Sequence, residues 1–134
     1  MREAGVLMPV SALPSRVGAG ELGESAFHFI ELLKKNHVRI WQILPLNPVG
    51  YGNSPYQPYS SCAGDDIYIS LDTLAEEGLL KKSPMLFLEK CKKVDYERVR
   101  QYREPYLRAA FVAFVEQKGY EKPEYKEFAA QSWV

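Results

Sequence analysis

The sequence predicts an α/β fold that opens with a strand, a helix and a second strand. An apolar run at residues 4–10 is typical of a first strand. Residues 24–36 then place apolar side chains at helical spacing, and residues 40–46 form a second apolar run. Because a helix between two strands carries the chain back across the sheet, this order predicts two parallel strands.

The predicted helix follows a loop at residues 11–23 that is rich in proline and glycine. Its acidic residues come early, while Lys34 and Lys35 come late, which is the charge order that the helix dipole favours. Asn36 is suited to the C-terminal cap. The apolar stripe comprises Ala26, Phe27, Ile30, Leu33 and, more weakly, Phe29.

A long loop at residues 47–66 follows the second predicted strand, and a short apolar run comes after it. Residues 67–71 have the character of a short third strand. Asp72 or Thr73 can then cap a helical turn, which we expect to end near Gly78.

From residue 83 onward the chain becomes charged and helical in its periodicity. We predict helices over residues 84–92, 96–118 and 124–133. The middle helix carries a largely aromatic stripe, which indicates helix packing rather than a ligand site: Tyr96, Val99, Tyr102, Tyr106, Ala110 and Ala113. The chain stops in apolar residues, and two or three parallel strands do not close a sheet. We therefore predict an incomplete domain with unpaired strand edges.

The composition argues against several classes of protein. The 134 residues hold 17 basic and 17 acidic side chains, which are interspersed and form no basic patch for nucleic acid. No apolar stretch reaches the ~20 residues of a membrane span, and the N-terminus lacks the pattern of a signal peptide. The resulting prediction is a cytoplasmic location, with neither nucleic acid nor membrane as a partner.

The cysteines and histidines predict no metal or redox site. Cys62 and Cys91 are isolated and lack metal-ligand spacing, so we expect reduced, partly buried thiols. His28 and His37 lie on or next to the helix predicted at residues 24–36, where packing or surface roles are typical.

Residues 18–23 match the dinucleotide-binding pattern G-x-G-x-x-G between a predicted strand and a predicted helix. Three observations oppose that interpretation. The first glycine comes well after the strand ends, Glu21 would place a carboxylate beside a pyrophosphate, and residues 39–53 contain no acid to hold a ribose. We therefore predict a flexible loop whose glycines need positive φ, and no nucleotide site.

The candidate site is the loop at residues 51–57, since binding residues of α/β folds lie at the carboxyl ends of strands. Its aromatic faces, hydroxyl and amide belong to Tyr51, Ser54, Tyr56 and Gln57. A sugar offers C–H faces for stacking and hydroxyls for hydrogen bonds, so it suits this set. A cluster of turn residues with packing tyrosines is the alternative, but loops this long are usually functional.

Several segments together resemble the 4-α-glucanotransferases, the amylomaltases or disproportionating enzymes of glycoside hydrolase family 77. Residues 6–15 (Val-Leu-Met-Pro-Val-Ser-Ala-Leu-Pro-Ser) resemble the family's opening, and residues 18–23 resemble its glycine loop, which usually has Asp where Glu21 stands. Residues 41–46 and 50–57 look like its second strand and signature loop. The match is dense to about residue 80 and thinner beyond it.

The resemblance implies an incomplete (β/α)₈ TIM barrel. Residues 1–82 would begin the catalytic barrel and hold the substrate loop, and residues 83–134 would begin a helical insertion subdomain. The partners implied are malto-oligosaccharides, α-1,4-glucans and the missing C-terminal remainder of the barrel. No cofactor and no metal is implied.

The reaction implied is the retaining transfer of an α-1,4-glucan segment to the 4-hydroxyl of another carbohydrate. The family's three catalytic acids come from later barrel strands, so the resemblance places no catalytic residue within 1–134 and implies that the fragment alone is inactive. Tyr56 would form a wall of the cleavage subsite, Ser54 would offer it a hydroxyl, and Tyr51 would make a further glucan contact. We add Gln57 on its chemistry alone.

Asp65 and Asp66 stand where the family usually has Asn-Pro. We do not expect them to be a catalytic pair, because neighbours on an extended chain point to opposite faces. Two alternatives of other classes remain open. One is a non-catalytic α-glucan-binding module that uses the same tyrosines, and the other is a structural fragment that completes a barrel with a separate chain.

Overall fold

The structure, a computed structural model, describes residues 3–81 and 93–131. Strands β1 (Gly5–Leu7) and β2 (Ile40–Gln42) pair in parallel, with Val6 opposite Trp41. The predicted parallel pairing is therefore confirmed. Both strands are shorter than predicted. Pro9 and Pro45 lie within the predicted runs, and proline has no N–H to donate to a ladder.

Helix α1 (Glu24–Lys35) connects the two strands as predicted, and Asn36 is its C-terminal cap. Phe29 meets Trp41 edge to face, with 5.1 Å between ring centroids, so the helix packs on β2. The predicted apolar stripe is only partly right. Ala26 and Leu33 are buried, whereas Phe27 and Ile30 are exposed.

Residues 67–71 do not form the predicted strand. They lie in a 3₁₀ turn (Asp66–Tyr68) and at the start of helix α2 (Leu71–Glu76). The cap of α2 is Ser70, not Asp72 or Thr73, because its hydroxyl accepts a hydrogen bond from the Thr73 amide at 3.3 Å. The predicted end of this segment is confirmed at Gly78, whose φ is +76°.

The C-terminal part is helical, as predicted for residues 96–118. Helix α3 (Tyr96–Glu116) begins after Asp95, whose carboxylate accepts from the Arg98 amide at 3.1 Å. A 3₁₀ turn (Gly119–Glu121) leads to helix α4 (Pro123–Ala129), which is shorter than the predicted 124–133. The helix predicted at 84–92 and the boundary predicted between residues 82 and 83 lie outside the described residues.

Two clusters of buried side chains form the core, and Tyr68 packs against both. The first joins the loop after β1 to α1 through Val10, Leu13 and Ala26. The second joins the glycine loop and the 3₁₀ turn to α3 through Ala19, Ile67 and Val99. Because Val99 of α3 belongs to the second cluster and Tyr68 packs against both clusters, α3 shares one core with the sheet and α1.

The glycine loop at residues 18–23 shows why its glycines are needed. Gly18 has φ +90°, as predicted, but Gly20 and Gly23 lie outside the left-handed region. A Cβ at Gly20 would overlap the carbonyl oxygen of Val10, and one at Gly23 would lie 2.5 Å from the Ser70 hydroxyl. The prediction of positive φ is therefore wrong for these two, which permit close packing instead.

Replacing Gly20 with alanine is expected to lower the free energy of unfolding by about 2 kcal/mol, because the new methyl group forces backbone to move. Urea unfolding of the variant and the unchanged protein measures the difference. Gly64→Ala is the matched control, since no atom lies within 4 Å of its added Cβ. Equal stability of the two variants would contradict the role given to Gly20.

Candidate functional site

The candidate loop leaves the carboxyl end of β2 and is closed at its base by two hydrogen bonds. The Asp65 amide donates to the Leu46 carbonyl at 2.7 Å, and the Asn47 side chain donates to the Ala63 carbonyl at 2.8 Å. These two hydrogen bonds therefore hold the two ends of the loop close together. Residues 47–64 are called the site loop below.

Two consecutive turns shape the tip of the site loop. The Asn53 amide donates to the Gly50 carbonyl and the Gln57 amide donates to the Ser54 carbonyl, both at 3.1 Å. Gly52 has φ +92°, which glycine adopts without strain. Below the turns, Val49 and Pro58 form an isolated antiparallel bridge. This backbone presents residues 51–57 at the far end of the loop.

The structure places the four predicted site residues on these turns. Tyr51 and Tyr56 are strongly exposed, at 103% and 72%, and Gln57 is exposed as well. Ser54 is half-buried. Exposed aromatic rings gain nothing from the core, so they are free to stack on a ligand with C–H faces. The arrangement brings two aromatic faces, a hydroxyl and an amide into one loop.

A cavity of about 180 Å³ lies between the site loop and the body of the protein. Asn53 and Pro55 of the loop line one part of it, and Asp65 and Tyr68 line another. The remaining lining residues are Pro9, Val10, Ser11, Leu44, Leu46, Val49 and Tyr96. The tip of the loop is therefore not packed solidly against the core.

Asp65 lies beneath the loop in a charged contact that we did not predict. Its side chain is 2% exposed and accepts two hydrogen bonds from Arg100 of α3, at 2.8 and 2.5 Å. It also accepts from the Ile67 amide at 3.1 Å. Burial raises the pKa of Asp65, but the hydrogen bonds from Arg100 and Ile67 outweigh it and hold that pKa below its ordinary value.

Asp66 differs from its neighbour, since its side chain is 66% exposed. Partial burial and the Asp65 charge raise the pKa of Asp66. The expectation that the two acids point to opposite faces is wrong, because both approach Arg100, Asp66 at 3.7 Å. The physical reason is that Asp65 caps a 3₁₀ turn, so the backbone does not continue in an extended conformation.

A second charged network ties α3 to the glycine loop. Arg103, 1% exposed, contacts Glu21 at 2.7 Å and also donates to the Ile69 carbonyl. Glu21 in turn accepts from the Ser70 hydroxyl at 3.0 Å. Glu21 is thus a structural partner of Arg103. The sequence held one signal of this contact. Arg103 follows Val99 by one helical turn, which places the arginine on the buried face of α3.

Within residues 3–81 and 93–131, no three metal-ligating side chains lie close enough together to bind an ion. Cys62 is exposed, so the prediction of a partly buried thiol is wrong there, and Cys91 lies outside the described residues. None of the helices described in these ranges has the length and apolar character needed to cross a bilayer.

Comparison with known proteins gives a consistent set of relatives. A family model described as 4-alpha-glucanotransferase matches residues 8–134. The 4-alpha-glucanotransferase of Streptococcus pneumoniae is 40% identical over 99% of this chain, and that of Synechocystis is 44% identical over 84%. An amylomaltase from Streptococcus agalactiae, solved in complex with acarbose, superposes with a TM-score of 0.82 at 31% identity over 96% of this chain.

The chain spans about a quarter of the length of these relatives: 27% of the Streptococcus pneumoniae protein, 23% of the Synechocystis protein and 26% of the amylomaltase chain. The similarity therefore covers nearly all of this chain and a minor part of each relative.

Proposed function

This chain belongs to the 4-alpha-glucanotransferase family, and from that premise we propose that the complete protein transfers a segment of an α-1,4-glucan to the 4-hydroxyl of another carbohydrate. The observation that carries the proposal is the site loop. It presents Tyr51 and Tyr56 to solvent at the carboxyl end of β2, where barrel enzymes bind their substrates. Malto-oligosaccharides are the substrates that this chemistry suits.

We assign the binding roles to the tip of the loop. Tyr56 forms a wall of the subsite beside the bond that is cleaved, and Ser54 offers a hydroxyl to the same sugar. Tyr51 makes a further glucan contact, and the amide of Gln57 adds a hydrogen bond. The exposure of both rings and their positions on two consecutive turns support these assignments.

The proposed mechanism is retaining. One carboxylate attacks the anomeric carbon while a second, ~5 Å away across the scissile bond, protonates the glucan oxygen that departs. The second carboxylate then takes the proton of the acceptor's 4-hydroxyl, whose oxygen displaces the first carboxylate from the anomeric carbon. A third carboxylate steadies the transition state. We place all three outside residues 1–134, so this chain supplies substrate contacts and no catalytic residue, and no cofactor takes part.

The cytoplasmic location of the protein stays a prediction from the sequence.

We further propose that residues 1–82 begin a (β/α)₈ barrel and that residues 83–134 begin its helical insertion. The order of β1, α1 and β2 supports this, since it is the repeating unit of such a barrel. Parallel strands are normally covered on both faces, yet Leu7 and Ile40 are exposed at 58% and 44%. Further strands and helices of the barrel would bury them.

A disproportionation assay tests the function. The complete protein, with any sequence that flanks residues 1–134, is expected to convert maltotriose into glucose and longer oligosaccharides, which are resolved by length. Residues 1–134 alone are expected to produce neither. Production of both by residues 1–134 would place the acids inside this chain and contradict the proposal.

The same assay separates the proposal from a binding module. A complete protein that gives no products, yet is retained on immobilised amylose, would be a non-catalytic glucan-binding protein. A variant with Tyr51 and Tyr56 both replaced by alanine controls for the retention, because it lacks the proposed stacking faces and keeps the glycines and the proline of the turns.

A further inference from the structure

We propose that Arg100 of α3, acting through Asp65, positions the site loop and so sets how tightly the protein holds its glucan. This inference rests on the proposed function. Arg100 is a positioning residue, since it contacts the base of the loop and not the sugar.

The first step is the geometry of the contact. The two terminal nitrogens of Arg100 donate to the two carboxylate oxygens of Asp65, at 2.8 and 2.5 Å. A paired fork of this kind fixes the carboxylate in direction as well as in position. Arg100 itself belongs to the long helix α3, so the rigid body of the helix holds Asp65 in place.

The second step is the connection from Asp65 to the loop. The Asp65 amide donates to the Leu46 carbonyl at 2.7 Å, which joins the two ends of the loop directly above the charged contact. A shift of Asp65 therefore moves one of the two chain segments that flank the loop.

The third step is the cavity of about 180 Å³ beneath the tip. Asn53 and Pro55, which flank Ser54, line this cavity together with Asp65. Close packing would fix the tip independently of its base, but a cavity lacks the contacts needed to do so. The position of the tip consequently depends on the base, which Asp65 closes together with the hydrogen bond from Asn47 to the Ala63 carbonyl.

The fourth step is the charge that makes Arg100 necessary. Asp65 carries a carboxylate on a side chain that is almost fully buried. A buried carboxylate without a partner is costly, whereas a buried amide is much less so. The need for Arg100 should therefore vanish when Asp65 is replaced by asparagine.

The test compares Arg100→Gln, Asp65→Asn and the double variant in the complete protein. Removal of Arg100 alone is expected to raise the KM for maltotriose about fivefold, with a smaller change in kcat. Asp65→Asn and the double variant both lack the buried carboxylate, so each is expected to stay within about twofold of the unchanged protein. Hydrogen exchange of amides in residues 47–64 should quicken in Arg100→Gln and recover in the double variant. Residues 24–35 serve as the internal reference.

Two controls distinguish a general loss of stability from a change in the position of the site loop. A stability effect alone lowers the active fraction, and hence the apparent kcat, but leaves KM unchanged. Arg108→Gln removes an arginine that is 75% exposed on the same helix and should change neither readout. Arg100→Lys keeps the charge but cannot donate to both oxygens of Asp65 in the same geometry. We therefore expect it to fold more readily than Arg100→Gln and to raise the KM by less.

An unchanged KM and unchanged exchange in both Arg100 variants would overturn the inference. So would a double variant that behaves like Arg100→Gln, because the unpaired carboxylate of Asp65 would then not be the cause of the effect. If the unchanged protein fails to act on maltotriose, the proposed function fails, while the exchange measurement still decides whether Arg100 positions the loop through Asp65.

Discussion

Replacing Arg103 with methionine is expected to lower the free energy of unfolding by about 3–5 kcal/mol, because it leaves a charged partner uncompensated. Arg103 is 1% exposed and lies 2.7 Å from Glu21, whose side chain is 13% exposed. Methionine fills a similar volume, so the loss would come from the stranded carboxylate rather than from an empty space. Urea unfolding of the complete protein measures the change.

The consequence should extend beyond the pair, since Glu21 and Arg103 contact two further groups. Arg103 donates to the Ile69 carbonyl, and Glu21 accepts from the hydroxyl of Ser70, which caps α2. Loss of Arg103 therefore disturbs the glycine loop, the start of α2 and the packing of α3 together. Hydrogen exchange should quicken in all three segments.

Two variants show whether burial of the charge causes the effect. Arg108→Met removes an arginine that is 75% exposed beside Glu104, and it should cost no more than about 0.5 kcal/mol. A double variant with Glu21→Gln and Arg103→Met removes both charges and should recover part of the loss. An Arg103→Met protein as stable as Arg108→Met would refute the structural role.

The elements that the sequence predicted well are those with strong local signals. Helix α1 has early acidic residues, two lysines in its last turn and an asparagine cap, and it was predicted within one residue. The residues 67–71 were misread because Ile-Tyr-Ile-Ser-Leu has the composition of a strand. The caps formed by Asp65 and Ser70 decided the local structure instead.

The chemistry of the candidate site stays a prediction, and its support was not predicted. Glycine, proline and tyrosine in one loop after a strand are the signals that single out residues 51–57, and the structure places these residues on two consecutive turns. The contact of Asp65 with Arg100 joins residues that are distant in sequence, as does that of Glu21 with Arg103. No periodicity or spacing encodes which acid meets which base across a fold. The one local signal is an arginine on the apolar face of a helix, as Arg103 is, and it predicts only one of the two partners.

Replacing Tyr56 with alanine in the complete protein is expected to lower kcat/KM for maltotriose by about 10- to 100-fold, if the proposed function holds. Burying an aromatic face against a ligand contributes about 1.5–3 kcal/mol, and about 1.4 kcal/mol corresponds to a factor of ten. The ring is 72% exposed, so its removal should leave the free energy of unfolding within about 0.5 kcal/mol. Initial rates of glucose release measure the first quantity, and urea unfolding measures the second.

Two comparisons decide whether the stacking face of Tyr56 causes the loss. Tyr56→Phe keeps the ring without the hydroxyl, so most of the activity should remain if stacking dominates. Tyr59→Ala removes a ring of similar exposure, 80%, from the same loop. Its effect should be much smaller, because Tyr59 has no assigned glucan contact. Equal losses from both alanine variants would mean that the loop needs its tyrosines for shape, and the subsite wall would have to be sought elsewhere.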